Sequence, residues 1–492
     1  MPGGIYILVA YGAQDTYLTG GNPDVNHFKY VLKTHIHHAK EPVELSPDGY
    51  NGPPERIRNI DIKFPIERVG DLLYSANLLF TLPALRIPDH AEDTSGFSQV
   101  RWVKCPGMAL IEEMKVIVGG TEVQTLDSER LLTLTEIDLR DEERETYNLM
   151  VGNIPELTNP TIGVYRRNSG TVDPSGNTSF YPYAKPDDDF SIPETRVRVP
   201  TMFWFTRHIS EALPVGFLTR HEAEIILRLK PWNKLLQVRK TEDDDWAPPP
   251  SDFDLNEYLS VASNYSWNPN PIIEGVYYFL NNDYRNEMAR QEIRVPVYQL
   301  RRYDETTTQN RSYFAEAASQ PTISGSQLSS VSFRVRQETN PVSRIMCMAR
   351  RIDFIDNNDW MTLGNWLDES TGRDQSDNLL GYEKPIIQSF TLQFNGNDVF
   401  DKLPREYLTR FDPYAHSKGR GNEGIACYSF GIENKPEYTS GTVNFGRIRD
   451  PIITIDVTPA TIAPSGYSVM VLVESVNWFK YTSGFAGLIY ST

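Results

Sequence analysis

The sequence predicts an all-β protein built from two β-sandwich units in tandem. Several runs alternate apolar and polar residues with a period of two, which is typical of half-buried antiparallel strands. The 492 residues include 32 Gly and 34 Pro, which indicates many turns. An acidic, proline-rich stretch at 242–254 lies near the middle of the chain, and such a stretch cannot pair as a central strand. Short strands and polar loops on both sides of it predict the two units.

The clearest strands follow directly from this alternation. Residues 60–64, 331–336 and 453–457 alternate apolar and polar side chains throughout. Residues 114–118 also form a strand pattern, which ends at Gly119-Gly120. Two consecutive glycines supply the positive φ angles of a tight hairpin turn, so this run predicts the first strand of a β-hairpin.

Two segments carry a mixed or helical signal. Residues 220–229 are compatible with a strand or a helix, and their apolar end at 225–229 favours a strand. Residues 127–144 place Leu131, Leu134 and Ile137 among many charged residues, which predicts a short helix on a connection between strands.

Composition excludes several classes of protein. The 48 Lys and Arg against 65 Asp and Glu give a net charge of −17, which argues against a generic binder of nucleic-acid phosphates. Cys105, Cys347 and Cys427 show no C-x-x-C spacing, so we expect reduced thiols rather than a disulfide scaffold or a zinc module. No apolar run approaches the ~18–20 residues of a membrane-spanning helix. The apolar N-terminal stretch lacks a preceding basic residue, so we expect a docking arm rather than a secretory leader.

Two histidine motifs suggest metal sites but are incomplete. His35, His37 and Glu41 have the H-x-H-x3-E spacing of a cupin metal motif, yet no histidine is followed four residues later by Asn, as the second motif requires. His221-Glu222 begins like the zinc motif H-E-x-x-H, but Ile225 replaces the second histidine. We therefore favour exposed imidazoles over metal ligands.

The acidic motifs also fall short of a site. Asp252, Asp254 and Asn256 resemble the start of a calcium loop, but Glu257 and Ser263 occupy the positions of the required Gly and Glu. The runs at 187–189 and 243–245 are interpreted as solvated loop charges. The sequence therefore predicts no catalytic residue, no cofactor-binding residue, no metal ligand and no cofactor, and hence a protein that is not an enzyme.

A series of short motifs in one linear order resembles the major capsid proteins of nucleocytoplasmic large DNA viruses. The first motif is Val9-Ala10-Tyr11-Gly12-Ala13-Gln14-Asp15, and the series extends over essentially the whole chain. The further matches, in chain order, are Tyr17-Leu18-Thr19-Gly20, Asn22-Pro23, Phe28-Lys29, Gly70-Asp71-Leu72, Leu82-Pro83, Ala109-Leu110-Ile111, Gly119-Gly120, Phe203-Trp204-Phe205, Arg207, Ala212-Leu213-Pro214, His221-Glu222, Asn340-Pro341-Val342, Asn395-Gly396-Asn397-Asp398, Phe400, Tyr428-Ser429-Phe430, Ser440-Gly441, Asn444-Phe445, Arg447-Ile448, Ser483-Gly484, Ala486-Gly487-Leu488 and Tyr490-Ser491.

The resemblance implies a double jelly roll, which is two tandem eight-stranded antiparallel jelly rolls with long capping loops. It implies an N-terminal arm at 1–26, a first jelly-roll domain at 27–265 and a second at 266–492. It further implies a homotrimeric, pseudo-hexagonal capsomer that tiles the icosahedral shell of a large double-stranded DNA virus. The implied partners are other copies of the chain, minor capsid proteins and an internal membrane layer, with assembly in the host cytoplasm and no sequence-specific binding of nucleic acid.

Two alternative functions remain open at this point. One is a minor double-jelly-roll capsid paralog, and the other is a carbohydrate-binding β-sandwich whose loops meet host-surface glycans. We expect the loops at 168–186, 242–270 and 356–378 to cap the jelly rolls at one end and most of them to face outward, with Tyr181, Tyr183 and Trp246 in loop–loop contacts within the trimer. We expect the arm segment at 5–11 to point inward, toward minor capsid proteins.

Overall fold

The strands that the structure describes form four antiparallel sheets of four or more strands each. The computed structural model describes residues 36–49, 58–86, 97, 99–158, 191–240, 245–259, 267–303, 329–365, 384–417, 419, 421–435, 438–458 and 466–490. Residues 39–492 form one compact unit. The preceding unit, 1–38, is described only at 36–38, where the His38 ring lies 2.8 Å from the Ile36 carbonyl oxygen.

Two sheets come from the N-terminal half. Sheet I contains, in spatial order, β1 (His38–Leu45), β12 (Ile272–Leu280), β3 (Leu72–Leu82) and β9 (Thr195–Pro200). Sheet II contains β2 (Ile60–Pro65), β10 (Ala223–Leu229), β6 (Ile111–Val118) and β7 (Thr121–Leu126). The inward side chains of both sheets belong to one hydrophobic core. β10 illustrates this arrangement, because its residues alternate between buried and half-buried, as expected of a strand with one face on a core.

Two further sheets come from the C-terminal half. Sheet III contains β13 (Ile293–Tyr303), β23 (Tyr467–Thr482), β15 (Pro341–Arg351) and β18 (Ile425–Ser429), with β21 (Val443–Asn444) paired to β15 and β24 (Phe485–Leu488) paired to β23. Sheet IV contains β14 (Ser329–Arg334), β22 (Pro451–Val457), β16 (Ile387–Phe394) and β17 (Asn397–Pro404). Short ribbons pair β11 (Leu236–Arg239) with β5 (Gln99–Trp102), β4 (Leu85–Arg86) with β8 (Ser191–Ile192), and β19 (Asn434–Lys435) with β20 (Tyr438–Thr439).

The two halves have the same strand order. When the eight main strands of each half are counted in chain order, sheets I and III both read first, eighth, third, sixth. Sheets II and IV both read second, seventh, fourth, fifth. Successive strands therefore alternate between two facing sheets, except for the hairpin of the fourth and fifth strands, which is the jelly-roll arrangement. The predicted double jelly roll is confirmed.

Helices occupy the connections. The α-helices of the described residues are Pro106–Ala109, Ser128–Asp138, Asp141–Val151, Pro155–Thr158, Trp204–Arg207, Leu255–Tyr258, Asn282–Arg290, Ile352–Asp356 and Asp412–His416, with a π-helix at Tyr407–Phe411 and 3₁₀ turns at Ile209–Glu211, Val215–Phe217, Trp232–Lys234 and Phe445–Arg447. In the part of the chain that the structure describes, none of these helices is long and apolar enough to cross a bilayer.

The local predictions agree closely with these elements. The alternating runs became β2, β14 and β22, and the 220–229 segment forms β10. The hairpin between β6 and β7 turns at Gly119 and Gly120, whose φ angles are 59° and 77°. The single predicted helix at 127–144 is two helices. The first is capped by Asp127, which accepts a hydrogen bond from the Arg130 amide at 2.7 Å.

The limit between the two jelly rolls stays a prediction, but strand pairing favours a later position than 265/266. β12 lies beyond that limit and pairs with β3 of the first jelly roll, from Ile272 opposite Leu79 onward. It is the eighth strand of the first unit. The exposed helix Asn282–Arg290 follows it and leads into β13, the first strand of the second unit.

Candidate functional site at the junction of the two jelly rolls

Sheet III has a buried face on each side. Val469, Val471 and Val473 of β23 belong to the core of the second jelly roll. The alternate residues Met470 and Leu472 belong instead to the core that is continuous with the first jelly roll. We call the side of sheet III that points away from its own core its outer face. The first jelly roll buries this outer face, so the two jelly rolls pack against each other as one body.

The edge strand of the first jelly roll contributes polar contacts to this junction. The Gln299 side-chain amide donates a hydrogen bond to the Val123 carbonyl oxygen at 2.8 Å, and Gln124 donates to the Tyr298 carbonyl oxygen at 2.9 Å. The side-chain oxygen of Gln124 also accepts from the Trp204 amide at 2.9 Å. These bonds tie β7 to β13 and satisfy polar groups that burial would otherwise leave unpaired.

A buried ion network centred on Arg344 crosses the junction. Arg344 lies on β15 and makes two 2.7 Å contacts with the Asp138 carboxylate of the first jelly roll. Its Nε also donates to Glu474 Oε2 on β23 at 2.7 Å, and Arg207 reaches Glu474 Oε1 at 3.0 Å. Burial by itself would raise the pKa of Glu474, but the guanidinium groups of Arg344 and Arg207 outweigh it and hold the pKa at about 2. Glu474 is therefore ionised and paired from both sides.

A second ion network crosses the same junction at the start of the helix Ser128–Asp138. The Glu129 carboxylate is paired with Arg350 of β15 and Arg302 of β13. Arg302 also lies 3.5 Å from Asp127. Burial opposes ionisation of Glu129, yet the charges of Arg350 and Arg302 lower its pKa to about 2. Buried pairs of this kind contribute geometric specificity more than net stability, and loss of one partner is costly.

Glu211 differs from the acids of the two ion networks, because burial dominates its pKa. It is 1% exposed, and neither carboxyl oxygen has a hydrogen-bond partner among the described residues. Burial raises its pKa to about 8, against the opposing charge of Arg207 and with a further upward contribution from Glu474. Glu211 is therefore a neutral acid at pH 7, next to an ionised pair that joins the two jelly rolls.

The C-terminal hairpin of the second jelly roll also docks on the first. The Arg220 amide donates to the Gly484 carbonyl oxygen at 3.0 Å. His221 Nδ1 lies 2.9 Å from the Ala486 carbonyl oxygen and 3.2 Å from its amide nitrogen, and the ring packs edge-on against Phe485. A Cβ atom at Gly119 would lie 2.4 Å from His221 Nδ1, so this contact requires glycine there.

Two clefts open beside these networks. One of about 410 Å³ is lined by Arg207, Tyr298, Arg344 and Glu474. The other, of about 540 Å³, contains Lys230, whose ammonium group donates to Ser128 Oγ at 2.9 Å. In the first cleft Arg207 and Arg344 bind Glu474, and in the second Arg302 binds Glu129 across the junction, an arrangement that supports a structural contact rather than a reaction.

The described residues of the metal motifs are exposed or make other contacts. Within the described ranges, no cluster of three or more His, Cys, Asp or Glu side chains could hold a metal ion. His37 and Glu41 are exposed, and His35 lies outside the described residues. His221 packs against the C-terminal hairpin, and Asp254 caps the helix Leu255–Tyr258 by accepting from the Asn256 amide at 3.0 Å. The runs at 187–189 and 243–244 also lie outside the described residues.

The loop predictions are tested only in part. Tyr181, Tyr183, the 168–186 loop and the arm at 5–11 lie outside the described residues. Trp246, expected in loop–loop contacts within the trimer, already has close contacts within its own chain, and the outward placement of its loop stays a prediction. Its ring is 6% exposed, with the Arg101 guanidinium 4.0 Å and the Arg239 guanidinium 4.6 Å from its centre. Cation–π contacts of this geometry explain why the ring is buried within its own chain.

The start of the 356–378 loop contacts the first jelly roll, and the outward placement of this loop stays a prediction. Asn358 is buried and donates to the carbonyl oxygens of Asn233 and Leu236 at 2.7 and 3.0 Å.

The three cysteines are free and buried, and burial raises the pKa of each thiol. The sequence predicted reduced thiols in the core or on the surface, and the structure places all three in the core, where a raised pKa makes a thiol unreactive.

The ion networks of the junction were missed by sequence reasoning. Glu474 and Arg344 interrupt strands that are otherwise mainly apolar, which was the only available signal. Each finds its partners more than 100 residues away, because Arg344 meets Asp138 across 206 residues and Arg207 meets Glu474 across 267. No pattern within one strand specifies such pairs.

Comparisons with known proteins follow the same division into halves. The model of the "Major capsid protein N-terminus" matches residues 27–265, and that of the "Large eukaryotic DNA virus major capsid protein" matches 273–487. The major capsid protein of Phaeocystis pouchetii virus is 25% identical over an alignment of 547 residues, and that of Chrysochromulina ericina virus is 24% identical over 604. Both alignments cover 100% of each chain.

Solved structures show the same architecture. A chain of the PBCV-1 virus capsid superposes with a TM-score of 0.66 at 17% identity, covering 95% of this chain and 100% of the other. The Faustovirus major capsid protein gives a TM-score of 0.60 at 12% identity, covering 94% and 93%. Similarity at this level of identity establishes the fold.

Proposed function

Because this chain belongs to the family of major capsid proteins of large eukaryotic DNA viruses, we propose that it is the main shell subunit and that three copies form one capsomer. Six jelly rolls then make a pseudo-hexagonal block, and these blocks tile an icosahedral shell. Membership of the family implies a structural, non-enzymatic role in the virion capsid and self-association. Homotrimers, tiling and assembly in the host cytoplasm are parts of the proposal.

The observation that carries the proposal is the covered outer face of sheet III. Domains in one chain normally move relative to each other unless their interface is large and apolar. Here one continuous core and two ion networks join the jelly rolls. A block that keeps its shape is what a repeating lattice requires of its subunit.

The proposed partners follow from position in the shell. Other copies of the chain are the lateral partners, and minor capsid proteins and an internal membrane layer lie beneath. The net charge of −17 favours soluble subunits before assembly and disfavours a direct role in binding nucleic acid. Outer loops are candidate sites for host-surface glycans.

The first test is the mass of the full-length protein by light scattering after size exclusion. The proposal expects a species near 168 kDa, which is three times 56.1 kDa. A species that stays near 56 kDa at all concentrations would contradict the homotrimer. Among capsid roles, a minor paralog is separated from the main subunit by its low abundance in purified particles.

A carbohydrate-binding protein is the alternative of a different class. It expects specific binding on a glycan array by the isolated protein. Binding by a chain that forms no trimer would favour this alternative over a shell subunit.

A further inference from the structure

The cleft of about 540 Å³ lies at one end of sheet II. β2 and β6 begin there and β10 ends there, because Leu229 lies opposite both Ile60 and Ile111. From this end of β10 the chain continues toward the 242–270 loop, which we predict caps the jelly rolls. Sites for small molecules typically have volumes of roughly 300–1,000 Å³, so this cleft has room for a small ligand.

The ammonium group of Lys230 lines this cleft with most of its hydrogen-bonding capacity unused. The Lys230 side chain is 11% exposed and follows directly after β10. Of its three N–H donors, one forms the 2.9 Å hydrogen bond to Ser128 Oγ. Among the described residues it forms one ion pair, with Glu112 at 4.0 Å. Burial lowers the pKa of Lys230 against the opposing charge of Glu112, so a further acceptor at this ammonium group would stabilise its charged form.

A second lysine and an indole ring form the adjoining wall of the cleft. Lys234 is exposed, and in the part of the chain that the structure describes its ammonium group forms no ion pair. The centre of the Trp360 ring lies 5.5 Å from the Lys234 ammonium and 4.8 Å from that of Lys230. The half-buried ring is fixed by its Nε1 group, which donates to the Lys234 carbonyl oxygen at 3.0 Å. Two ammonium groups and one aromatic ring are therefore held together.

The other charges of the cleft are already paired. The two carboxylates at the start of the helix Ser128–Asp138 bind Arg302. Arg228 lies 3.4 Å from the carboxylate of Glu113. The two lysines are left with a single carboxylate, that of Glu112, whose side chain is 42% exposed. These three groups carry a net charge of one positive unit, which suits a ligand with one negative charge.

A sugar ring that carries one carboxylate matches these groups. Its carboxylate would accept charge-assisted hydrogen bonds from the two ammonium groups. Its hydroxyl groups would donate to the Glu112 carboxylate, and the C–H face of the ring would pack on Trp360. A phosphate monoester suits the cleft less well, because it carries about two negative charges near neutral pH and would be repelled by Glu112. The combination of one aromatic ring with a few placed polar groups is typical of small-ligand sites.

We propose that this cleft, lined by Glu112, Lys230, Lys234 and Trp360, binds an acidic sugar, namely a uronic acid or sialic acid residue of a glycan. The two lysines hold the carboxylate, Glu112 accepts from the hydroxyl groups, and Trp360 packs against the ring. All four side chains belong to one chain, so the inference goes beyond the proposed shell role and does not require the trimer.

Matched pairs of sugars test the requirement for a negative charge. The full-length protein is titrated with sialyllactose and lactose, which differ only in the sialic acid residue. It is also titrated with glucuronic acid and glucose, which differ only in the carboxylate. Ligand-observed NMR should give about tenfold tighter binding for the acidic member of at least one pair, and that pair identifies the kind of sugar. Acidic sugars that bind no more tightly than their neutral partners overturn the inference.

A charge-removing substitution separates the site from a general effect of net charge. Lys234→Gln should weaken binding of the acidic sugar about tenfold and leave the neutral sugar nearly unchanged, since only the acidic sugar has the carboxylate. Lys40→Gln removes the same charge at an exposed residue of β1 and should bind like the unchanged protein. Both residues are exposed, so the thermal midpoints of both variants should match that of the unchanged protein.

The indole ring has a different expected effect. Trp360→Ala should weaken the acidic and the neutral sugar alike, because both have a C–H face. Equal affinities for Lys234→Gln and Lys40→Gln overturn the proposed site. Light scattering of the same samples keeps the two proposals apart. A trimer that binds neither acidic sugar overturns this inference alone, whereas a monomer that binds one supports the inference and contradicts the homotrimer.

Discussion

Replacing Glu211 by Gln should remove a pH-dependent loss of stability from the junction of the jelly rolls. The carboxyl is buried beside the Arg207–Glu474 pair and has no hydrogen-bond partner among the described residues. Burial raises its pKa from 4.5 to about 8. Gln has nearly the same shape as the neutral acid and does not titrate, so the substitution isolates the cost of keeping the proton.

The magnitude follows from linkage between proton binding and folding. Below pH 4.5 the carboxyl of Glu211 is protonated in the folded and unfolded chains, and no cost arises. Between pH 4.5 and 8 only the unfolded chain ionises, so the free energy of unfolding falls by about 1.4 kcal/mol per pH unit. Above pH 8 the loss is complete, at about 5 kcal/mol as an upper limit. At pH 7 the Gln variant should therefore gain about 3 kcal/mol relative to its difference at pH 4.5.

Thermal unfolding from pH 5 to 9 measures this effect. An unfolding entropy of about 2.1 cal/mol/K per residue gives about 1 kcal/mol/K for a cooperative chain of this length, so the expected gain at pH 7 is about 3 °C. Glu142→Gln, at an exposed carboxylate in the first turn of the helix Asp141–Val151, is the matched control and should follow the unchanged protein. Parallel midpoint curves for the unchanged protein and Glu211→Gln across pH 5–8 would refute the reasoning.

Three further predictions concern the same junction. Arg344→Met should lower the free energy of unfolding by about 3 kcal/mol, because the buried Glu474 keeps only Arg207 and the partly exposed Asp138 loses its guanidinium partner, and adding Glu474→Gln should recover part of the loss in a double-mutant cycle. Glu474 and Glu129 have pKa values of about 2, lowered from 4.5, so their contribution to stability is present above pH 4.5 and lost as the pH falls toward 2; near-UV circular dichroism should show a shallower acid transition for Glu474→Gln, and an unchanged transition would contradict the pairing. Gly119→Ala should lower the thermal midpoint more than Gly120→Ala, because both residues have positive φ but only the first places Cβ 2.4 Å from the His221 ring; equal losses would show that the backbone conformation alone matters.

The local sequence pattern was enough to predict the alternating strands, because the apolar residues of each such strand mark the face that is buried. β22 alternates at residues 453–457, and the sheets bury the apolar set of that run, as the period of two requires. The pair Gly119-Gly120 likewise specified its hairpin, since few other residues adopt two successive positive φ angles. The resemblance of the ordered motifs to the capsid family then implied eight strands in each jelly roll.

Contacts between residues far apart in the sequence decided the burial of Trp246 and the jelly roll to which β12 belongs, which the local pattern did not specify. Trp246 stands in an acidic, proline-rich segment, yet the guanidinium groups of Arg101 and Arg239 bury it within the chain. β12 lies past the predicted domain limit and joins the first jelly roll because it pairs with β3, about 200 residues earlier. The composition of a segment is a local property, whereas strand pairing and burial also depend on residues far away in the chain.

The sequence by itself determined strands with a period of two in two β-rich units, because this periodicity is a property of neighbouring residues, and the resemblance of its ordered motifs implied the double jelly roll and the capsid family. Only the tertiary structure decided that Arg344, Glu474, Asp138 and Arg207 meet, and that Glu211 is left neutral beside them. Those groups come together from five separate elements, and their ionisation depends on how completely the packed jelly rolls exclude water. Water is excluded there because the first jelly roll covers the outer face of sheet III, and this packing is a property of the folded core.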